Sequence, residues 1–157
     1  MRTRTFRSLT YFGGGLGLIT AIFAAAEFYD AQLAKACSFT NYWSCGKILS
    51  SNLTTTFGIQ DWAWGVAGFV VILALAVLAE RRPRDSRIPY LLLLITTAGV
   101  AISLYFLYVE VDLIGGLCPV CVVSYLLGGV AWVGAIGLAQ RAYRRDHRTP
   151  DDASATA

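Results

Sequence analysis

Two cysteines with two residues between them, Cys118 and Cys121, stand at the start of a long apolar segment. Gly115 and Gly116 should interrupt the chain before them, and Pro119 suits the first turn of a helix, where its missing N–H group is not needed. The spacing predicts that Cys118 caps a helix and that Cys121 lies about one turn further on. Because a helix N-terminus carries partial positive charge, it favours thiolate over thiol. The pair is therefore predicted to be redox-active.

A second pair of cysteines, Cys37 and Cys45, has seven residues between its members. We expect these two to lie on an exposed, flexible loop that can reach a soluble partner, whereas Cys118 and Cys121 can reach a molecule dissolved in lipid. Two such pairs predict a relay that carries electrons by thiol–disulfide exchange from an aqueous dithiol to a membrane acceptor. Structural disulfides, buried apolar thiols and a zinc site remain alternatives. Paired zinc ligands usually have roughly two to four residues between them, which Cys37 and Cys45 do not match.

The composition is that of a membrane protein. Of the 157 residues, 56% are hydrophobic and 15% are charged, whereas a typical soluble domain has about 25% charged residues. Four apolar segments are long enough to cross a bilayer, which takes roughly 17–25 residues. We predict one all-α domain, 1–157, a bundle of four transmembrane helices at 9–29, 62–79, 88–109 and 118–139. An outer loop at 30–61 and a flexible tail at 141–157 complete the prediction.

Basic residues are very unevenly distributed. All but two of the 13 lysines and arginines, Lys35 and Lys47, fall in the N-terminus, the 81–87 connection and the tail. Because basic loops stay on the cytoplasmic side, this pattern predicts cytoplasmic termini in the plasma membrane and places all four cysteines outside, where disulfides persist. It also explains the net charge of +3 without a nucleic-acid partner. A cleaved secretory signal in the first apolar run is the alternative, and it would leave three spans.

Several residues are expected at the outer membrane boundary. Residues 27–30, which include Glu27, should mark the outer interface at the end of the first helix. Glu110 and Asp112 should end the third helix at the outer surface. The loop between the first two helices is too small to bury a core of its own, so it should lie over the mouth of the bundle, with a short amphipathic helix at 46–52.

The order of the cysteine pairs resembles the vitamin K epoxide reductase family. The matching residues are Cys37-x7-Cys45, Ser50-Ser51, Phe57-Gly58, Gly65, and Cys118-x-x-Cys121 followed by Ser124-Tyr125. The four-helix topology extends the resemblance over nearly the whole chain. The other four-helix disulfide-forming membrane oxidases of bacteria carry Cys-x-x-Cys in the first outer loop, so the order of the pairs favours the first family.

The resemblance implies a bundle around a quinone of the menaquinone, ubiquinone or vitamin K type, with no metal. Cys118 and Cys121 would be the active pair, and Cys37 and Cys45 the shuttle. Cys121 would face the quinone, Cys118 would exchange with Cys45, and Cys37 would take reducing equivalents from a separate thioredoxin-like partner outside the cytoplasm. The chain would thereby support disulfide formation. A vitamin K epoxide or quinone reductase and a non-catalytic membrane protein with structural disulfides are the alternative functions.

The residues expected to bind the quinone are Tyr125, Asp61, Trp64, Leu49 and Phe106. Tyr125 matches a tyrosine of vertebrate members and lies about one helical turn after Cys121, so its hydroxyl could donate to a quinone oxygen. A bond to a backbone carbonyl is the alternative for that hydroxyl. Asp61 stands where vertebrate members have asparagine. It could donate to a quinone only when protonated, and otherwise it would cap the second helix.

Overall fold

Four long helices carry the fold. The computed structural model describes residues 2–49, 51, 53, 55–56 and 58–147. In that part of the chain the elements are, in order, α1 (Arg2–Tyr29), α2 (Ala31–Ala36), α3 (Cys45–Leu49), β1 (Thr55–Thr56), β2 (Ile59–Gln60), α4 (Asp61–Arg81), α5 (Arg87–Tyr108), a π-helical turn (Val109–Ile114) and α6 (Pro119–Asp146).

The long helices α1, α4, α5 with its π-helical turn, and α6 are long and apolar enough to cross a membrane. Their outward positions are apolar too, since Ile19, Leu94, Leu104 and Leu126 are largely exposed. Exposed apolar patches on this scale mark surfaces that contact lipid or protein rather than water. The predicted all-α bundle of four apolar helices is therefore confirmed. Helix α6 continues to Asp146 and so includes residues 141–146, which the sequence predicts to belong to the flexible tail.

Small residues let α1 and α6 approach each other closely. A Cβ atom added at Gly13 would lie 2.5 Å from the carbonyl oxygen of Leu127 and 2.6 Å from the backbone nitrogen of Ala131. A Cβ atom added at Gly134 would lie 2.8 Å from the carbonyl oxygen of Phe6. Helices that cross a membrane associate through such close packing, because lipid supplies no hydrophobic driving force between them.

The core of the bundle receives side chains from all four long helices. The buried residues that form it are Ala21, Phe69, Ile72, Leu92, Ala131 and Ala135. Thr96, buried in α5, donates its hydroxyl to the carbonyl oxygen of Leu92 at 2.9 Å, so its polar atom is satisfied within its own helix. The interior therefore needs no ligand or water to satisfy this hydroxyl.

The basic clusters of the sequence meet at one end of the bundle. Arg7 of α1 forms an ion pair with Glu80 of α4, and Tyr11 donates its hydroxyl to the same carboxylate at 2.9 Å. Arg145 of α6 donates to the carbonyl oxygen of Pro83, which lies between α4 and α5. The cysteines lie at the opposite end, so the arginine clusters and the disulfides are separated along the bundle axis.

The segment between α1 and α4 folds over that opposite end. Asp30 caps α2 by accepting a hydrogen bond from the backbone N–H of Gln32 at 2.8 Å. We expected a short helix at 46–52. The structure has α3 at Cys45–Leu49, and Ser50 and Asn52 lie outside the described residues. Strands β1 and β2 pair antiparallel and lead into α4.

Our prediction that Asp61 could cap α4 is wrong. The N-cap is Gln60, whose backbone is extended (φ −64°, ψ 146°), and Asp61 is the first residue of the helix. Because β2 ends at Gln60, the extended backbone of the strand runs up to the helix and places the cap one residue earlier than we expected.

The α1–α6 contact can be tested with two neighbouring glycines. Replacing Gly13 with Ala should lower the stability of the bundle by about 1–3 kcal/mol, because the new methyl group has to displace backbone. Replacing Gly15 with Ala should not, since a Cβ atom there meets nothing within 4 Å. Denaturant unfolding of both variants in detergent measures the difference. Equal stability of the two variants would show that the helices are not in close contact at Gly13.

Candidate functional site

A short stretch of extended backbone attaches the first loop to the segment before α6. Trp43 forms a parallel β-bridge with Leu117. The backbone N–H of Leu117 donates to the carbonyl oxygen of Tyr42 at 2.7 Å, and the N–H of Ser44 donates to the carbonyl oxygen of Leu117 at 3.0 Å. These bonds set the register between the two segments, so they fix Cys45 relative to Cys118.

Two further contacts support this attachment. Lys47 of α3 donates its ammonium group to the carbonyl oxygen of Gly115 at 3.0 Å. A Cβ atom at Gly116 would lie 3.1 Å from the carbonyl oxygen of Tyr42, so a glycine lets the two backbones approach. Gly115 has a φ of 67°, a conformation that favours glycine, and it ends the π-helical turn. This confirms the interruption of the chain that we predicted before Cys118.

The start of α6 has the predicted geometry. Cys118 is the N-cap, with extended backbone, and a proline occupies the first turn. Its Sγ accepts a hydrogen bond from the backbone N–H of Cys121 at 3.2 Å. The sulfur therefore receives both a backbone donor and the positive end of the helix, which are the two conditions that stabilise a thiolate.

The two cysteine pairs form two disulfides that touch each other. Cys37 is bonded to Cys45 and Cys118 to Cys121, with Cα–Cα distances of 5.7 and 5.2 Å. The Sγ atoms of Cys45 and Cys118 lie 3.7 Å apart. One sulfur of each pair is thus in contact with the other pair, which is the arrangement that exchange between two disulfides requires.

The loop cysteines are buried, which corrects our expectation of an exposed pair. Cys37 is 8% exposed, and Cys45 and Cys118 are 0% exposed. Ile48 of α3 belongs to the same buried cluster as these three cysteines, because the attachment to Leu117 folds α3 over the end of the bundle. Cys121 is half-buried and is the more accessible cysteine of its pair.

A buried carboxylate organises the start of α6. Glu110 is 2% exposed. Its Oε2 atom accepts a hydrogen bond from the backbone N–H of Cys118 at 3.1 Å, and its Oε1 atom accepts one from the hydroxyl of Tyr125 at 2.9 Å. Our expectation that Glu110 lies at the outer surface is wrong, because the helix continues through it as a π-helical turn. No local sequence signal separates the buried Glu110 from Asp112, an exposed acid of the same turn.

A second buried carboxylate lies beside the loop disulfide. Glu27 is 2% exposed, which corrects its assignment to the outer interface. Neither of its oxygens has a hydrogen-bond partner among the described residues. One carboxylate oxygen and the Sγ atoms of Cys37 and Cys45 all lie within 4.8 Å of one another. In this state both sulfurs are joined in a disulfide, so the group is a redox pair with an adjacent acid.

Comparison with known families gives a single clear result. The sequence model of the vitamin K epoxide reductase family matches residues 8–140. The chain belongs to this family. No solved structure matches it significantly. Family membership and two cysteine pairs bonded as disulfides indicate a thiol–disulfide oxidoreductase, and the four apolar helices indicate a multi-pass membrane protein.

The family uses quinones, and two of the residues predicted to bind a quinone, Asp61 and Tyr125, lie near each other. Tyr125 donates to Glu110, which is neither a quinone nor the backbone carbonyl that we weighed. Asp61 lies close enough to Glu110 and to Tyr125 to interact with them electrostatically. Trp64 is exposed on α4, whereas Phe106 is buried in α5. The side chain of Leu49 lies outside the described part of the chain.

The hydroxyl of Tyr125 would have to leave Glu110 before it could donate to a quinone. A quinone offers two carbonyl acceptors on an apolar ring, so a site for it has few polar groups among apolar walls. In this member of the vitamin K epoxide reductase family, the hydroxyl of Tyr125 and the half-buried sulfur of Cys121 lie on the first turns of α6.

The role of Glu110 as an acceptor can be tested by removing it. Glu110→Ala leaves a buried N–H group and a half-buried hydroxyl unpaired, so stability should fall by about 2–4 kcal/mol, whereas Tyr125→Phe should cost about 0.5–1.5 kcal/mol. Denaturant unfolding in detergent measures both. The matched control is Asp112→Ala, since Asp112 is an exposed acid of the same π-helical turn. If Glu110→Ala and Asp112→Ala lower the stability equally, Glu110 does not accept these two hydrogen bonds.

Proposed function

We propose that this protein is a quinone-dependent thiol–disulfide oxidoreductase that supports disulfide formation outside the cytoplasm. Electrons pass from a separate thioredoxin-like partner to Cys37 and Cys45, then to Cys118 and Cys121, and then to a membrane quinone. The contact of 3.7 Å between the Sγ atoms of Cys45 and Cys118 carries the proposal, because it supplies the step between the two pairs.

The exchange between the pairs proceeds in two attacks. After the partner has reduced the shuttle pair, the thiolate of Cys45 attacks the Sγ atom of Cys118. The Cys118–Cys121 bond breaks and its electron pair leaves on Cys121. Cys37 then attacks Cys45, which re-forms the Cys37–Cys45 disulfide and releases Cys118 as a thiolate. One disulfide is reduced as the other is oxidised, so electrons and atoms balance.

The positions of the four sulfurs support this order. Cys45 and Cys118 are both fully buried and in contact, so they suit an internal transfer. Cys121 is half-buried and lies on a helix apolar enough to cross a membrane, so it suits contact with a lipid-soluble acceptor. When bound, the quinone supplies an acceptor for two electrons. Tyr125, Asp61, Trp64, Leu49 and Phe106 are our proposed binding residues.

The same contact argues against two independent structural disulfides. A structural bridge works by restricting its own loop, and it needs no contact with a second bridge. Here the backbone bonds between Tyr42 and Leu117 hold two disulfides together at buried sulfur atoms. Exchange between two disulfides needs this contact, whereas two separate structural disulfides would not.

Burial of the shuttle pair has a consequence for its partner. Cys37 is the more exposed sulfur of that pair, although it is only 8% exposed. A thioredoxin-like partner can reach it only if α2 and the residues that follow move away from the bundle. We therefore propose that the loop between Cys37 and Cys45 opens in the partner complex and closes for transfer to Cys118.

The sidedness of the bundle follows from its basic end. The interacting arginines of α1 and α6, with Glu80 and Pro83, mark one end, and the disulfides mark the other. Because basic residues favour the cytoplasm, we place the arginine end and both termini in the cytoplasm and the disulfides outside the plasma membrane. This side is also the one where disulfides persist.

The transfer step predicts a disulfide that neither native pair contains. In a Cys37→Ala/Cys121→Ala variant, Cys45 and Cys118 remain, and they should bond spontaneously in air. A disulfide needs Cα atoms within about 7 Å, and the sulfurs already lie in contact. Peptide mapping by mass spectrometry without reduction identifies the crosslink.

The complementary variant is the control for this experiment. Cys45→Ala/Cys118→Ala leaves Cys37 and Cys121, which should remain as free thiols. A crosslink in the complementary variant, with free thiols in the first one, would reassign the transfer step to the other two sulfurs.

Sidedness is tested by placing single cysteines at the two ends, in a chain whose native cysteines are all replaced by Ala. Asp85→Cys, at the arginine end, should resist a membrane-impermeant maleimide in whole cells and react after permeabilisation. Asn41→Cys, in the exposed part of the first loop, should react in whole cells. Labelling of Asp85→Cys from outside intact cells would reverse the orientation.

A further inference from the structure

The carboxylate of Glu27 has no evident structural reason to be where it is. It lies in the last turns of α1, is 2% exposed, and neither oxygen has a hydrogen-bond partner among the described residues. Burying a polar group without a partner costs free energy. A leucine would fill the same space at lower cost, so the acid is expected to have a chemical role.

The sulfur atoms of the shuttle pair are the groups that Glu27 faces. One of its oxygens lies within 4.8 Å of the Sγ atoms of both Cys37 and Cys45. The charged and titratable side chains of the neighbouring elements interact with other groups or are exposed. Asp30 caps α2, and Lys35 of α2 is exposed. Lys47 of α3 donates to Gly115, and Asp61 of α4 and Tyr125 of α6 interact with Glu110.

A proton acceptor at this position assists the transfer step whenever Cys45 is protonated. The nucleophile in thiol–disulfide exchange is the thiolate, and a free cysteine thiol has a pKa of about 8.5, so most of it is protonated near neutral pH. Cys45 is 0% exposed and has no direct access to bulk water. A carboxylate beside its sulfur can take the proton, and general bases commonly contribute about 10²–10⁴-fold to such a step.

We propose that Glu27 is the proton-accepting catalytic residue of the shuttle pair. As Cys45 attacks Cys118, the S–H bond of Cys45 breaks and its proton passes to a carboxylate oxygen of Glu27. The Cys45–Cys118 bond forms, the Cys118–Cys121 bond breaks, and the electron pair of that bond leaves on Cys121. The reduced shuttle pair is the only reductant the step needs.

This inference rests on the proposed relay, and the experiment separates the two. In a Cys37→Ala variant, Cys45 keeps its thiol and can attack the Cys118–Cys121 disulfide, which frees the thiol of Cys121. Purified protein in detergent is mixed with a maleimide, and labelling of Cys121 is followed by mass spectrometry. A fast initial phase of labelling reports the molecules in which Cys121 is already free before the maleimide is added. The slower phase gives the rate at which Cys45 attacks the Cys118–Cys121 disulfide. No quinone or partner is present.

Adding Glu27→Gln to that variant should slow the labelling of Cys121 by at least about tenfold near neutral pH. The deficit should shrink as the pH rises, because a growing fraction of Cys45 is then already thiolate before the attack and needs no proton acceptor. Adding Glu27→Asp instead should restore part of the rate. Adding Asp112→Asn, which removes an exposed acid at the same end, should leave both rate and pH profile unchanged.

Three results would decide against the proposal. If Glu27→Gln leaves the rate and its pH profile unchanged, Glu27 takes no proton in the attack. If it slows labelling equally at every pH, Glu27 has a structural role only. If Cys121 is never labelled even with Glu27 present, the relay between Cys45 and Cys118 is itself wrong, and Glu27 loses its proposed role with it.

Discussion

The hydrogen bond from the N–H of Leu117 to the carbonyl oxygen of Tyr42, at 2.7 Å, is the contact on which the site depends. The segment between α1 and α4 is too short to form a core of its own, and its polar backbone must be paired when it is covered. Pairing with the residues before α6 meets this need and sets a register. A slip of one residue would turn the side chains at this contact to the other face of the segment and separate the two sulfur pairs.

Each disulfide has one buried carboxylate beside it, and the two carboxylates differ in their hydrogen bonds. Glu110 accepts from the backbone of Cys118 and from Tyr125, so it holds the start of α6 in place. Glu27 accepts from nothing in the described chain. A satisfied acid adds rigidity, whereas an unsatisfied one remains able to accept a proton. In the relay that we propose, the active pair therefore lies against a fixed acid, and the shuttle pair lies against an acid that is available for proton transfer.

The sequence was sufficient for features that depend on neighbouring residues. Apolar segments predicted the helices, and Cys118 before Pro119 predicted an N-cap. It was insufficient where contacts join distant parts of the chain. Glu27 and Glu110 each end an apolar run, which favours an interface position by composition alone, and only the folded loop and the π-helical turn bury them. The burial of Cys37 and Cys45 likewise results from pairing with Leu117, a contact that no local pattern encodes.

The glycine contact between α1 and α6 has an effect far from its own position. Helix α1 carries Glu27 near its C-terminal end, α6 begins beside Cys118, and Gly13 contacts the backbone of α6 several turns away from both. Sliding α1 by one helical turn would displace Glu27 by about 5.4 Å along the axis, which is more than the distance that now separates it from the shuttle sulfurs. A residue with no chemical group of its own thus sets the axial alignment of acid and sulfur.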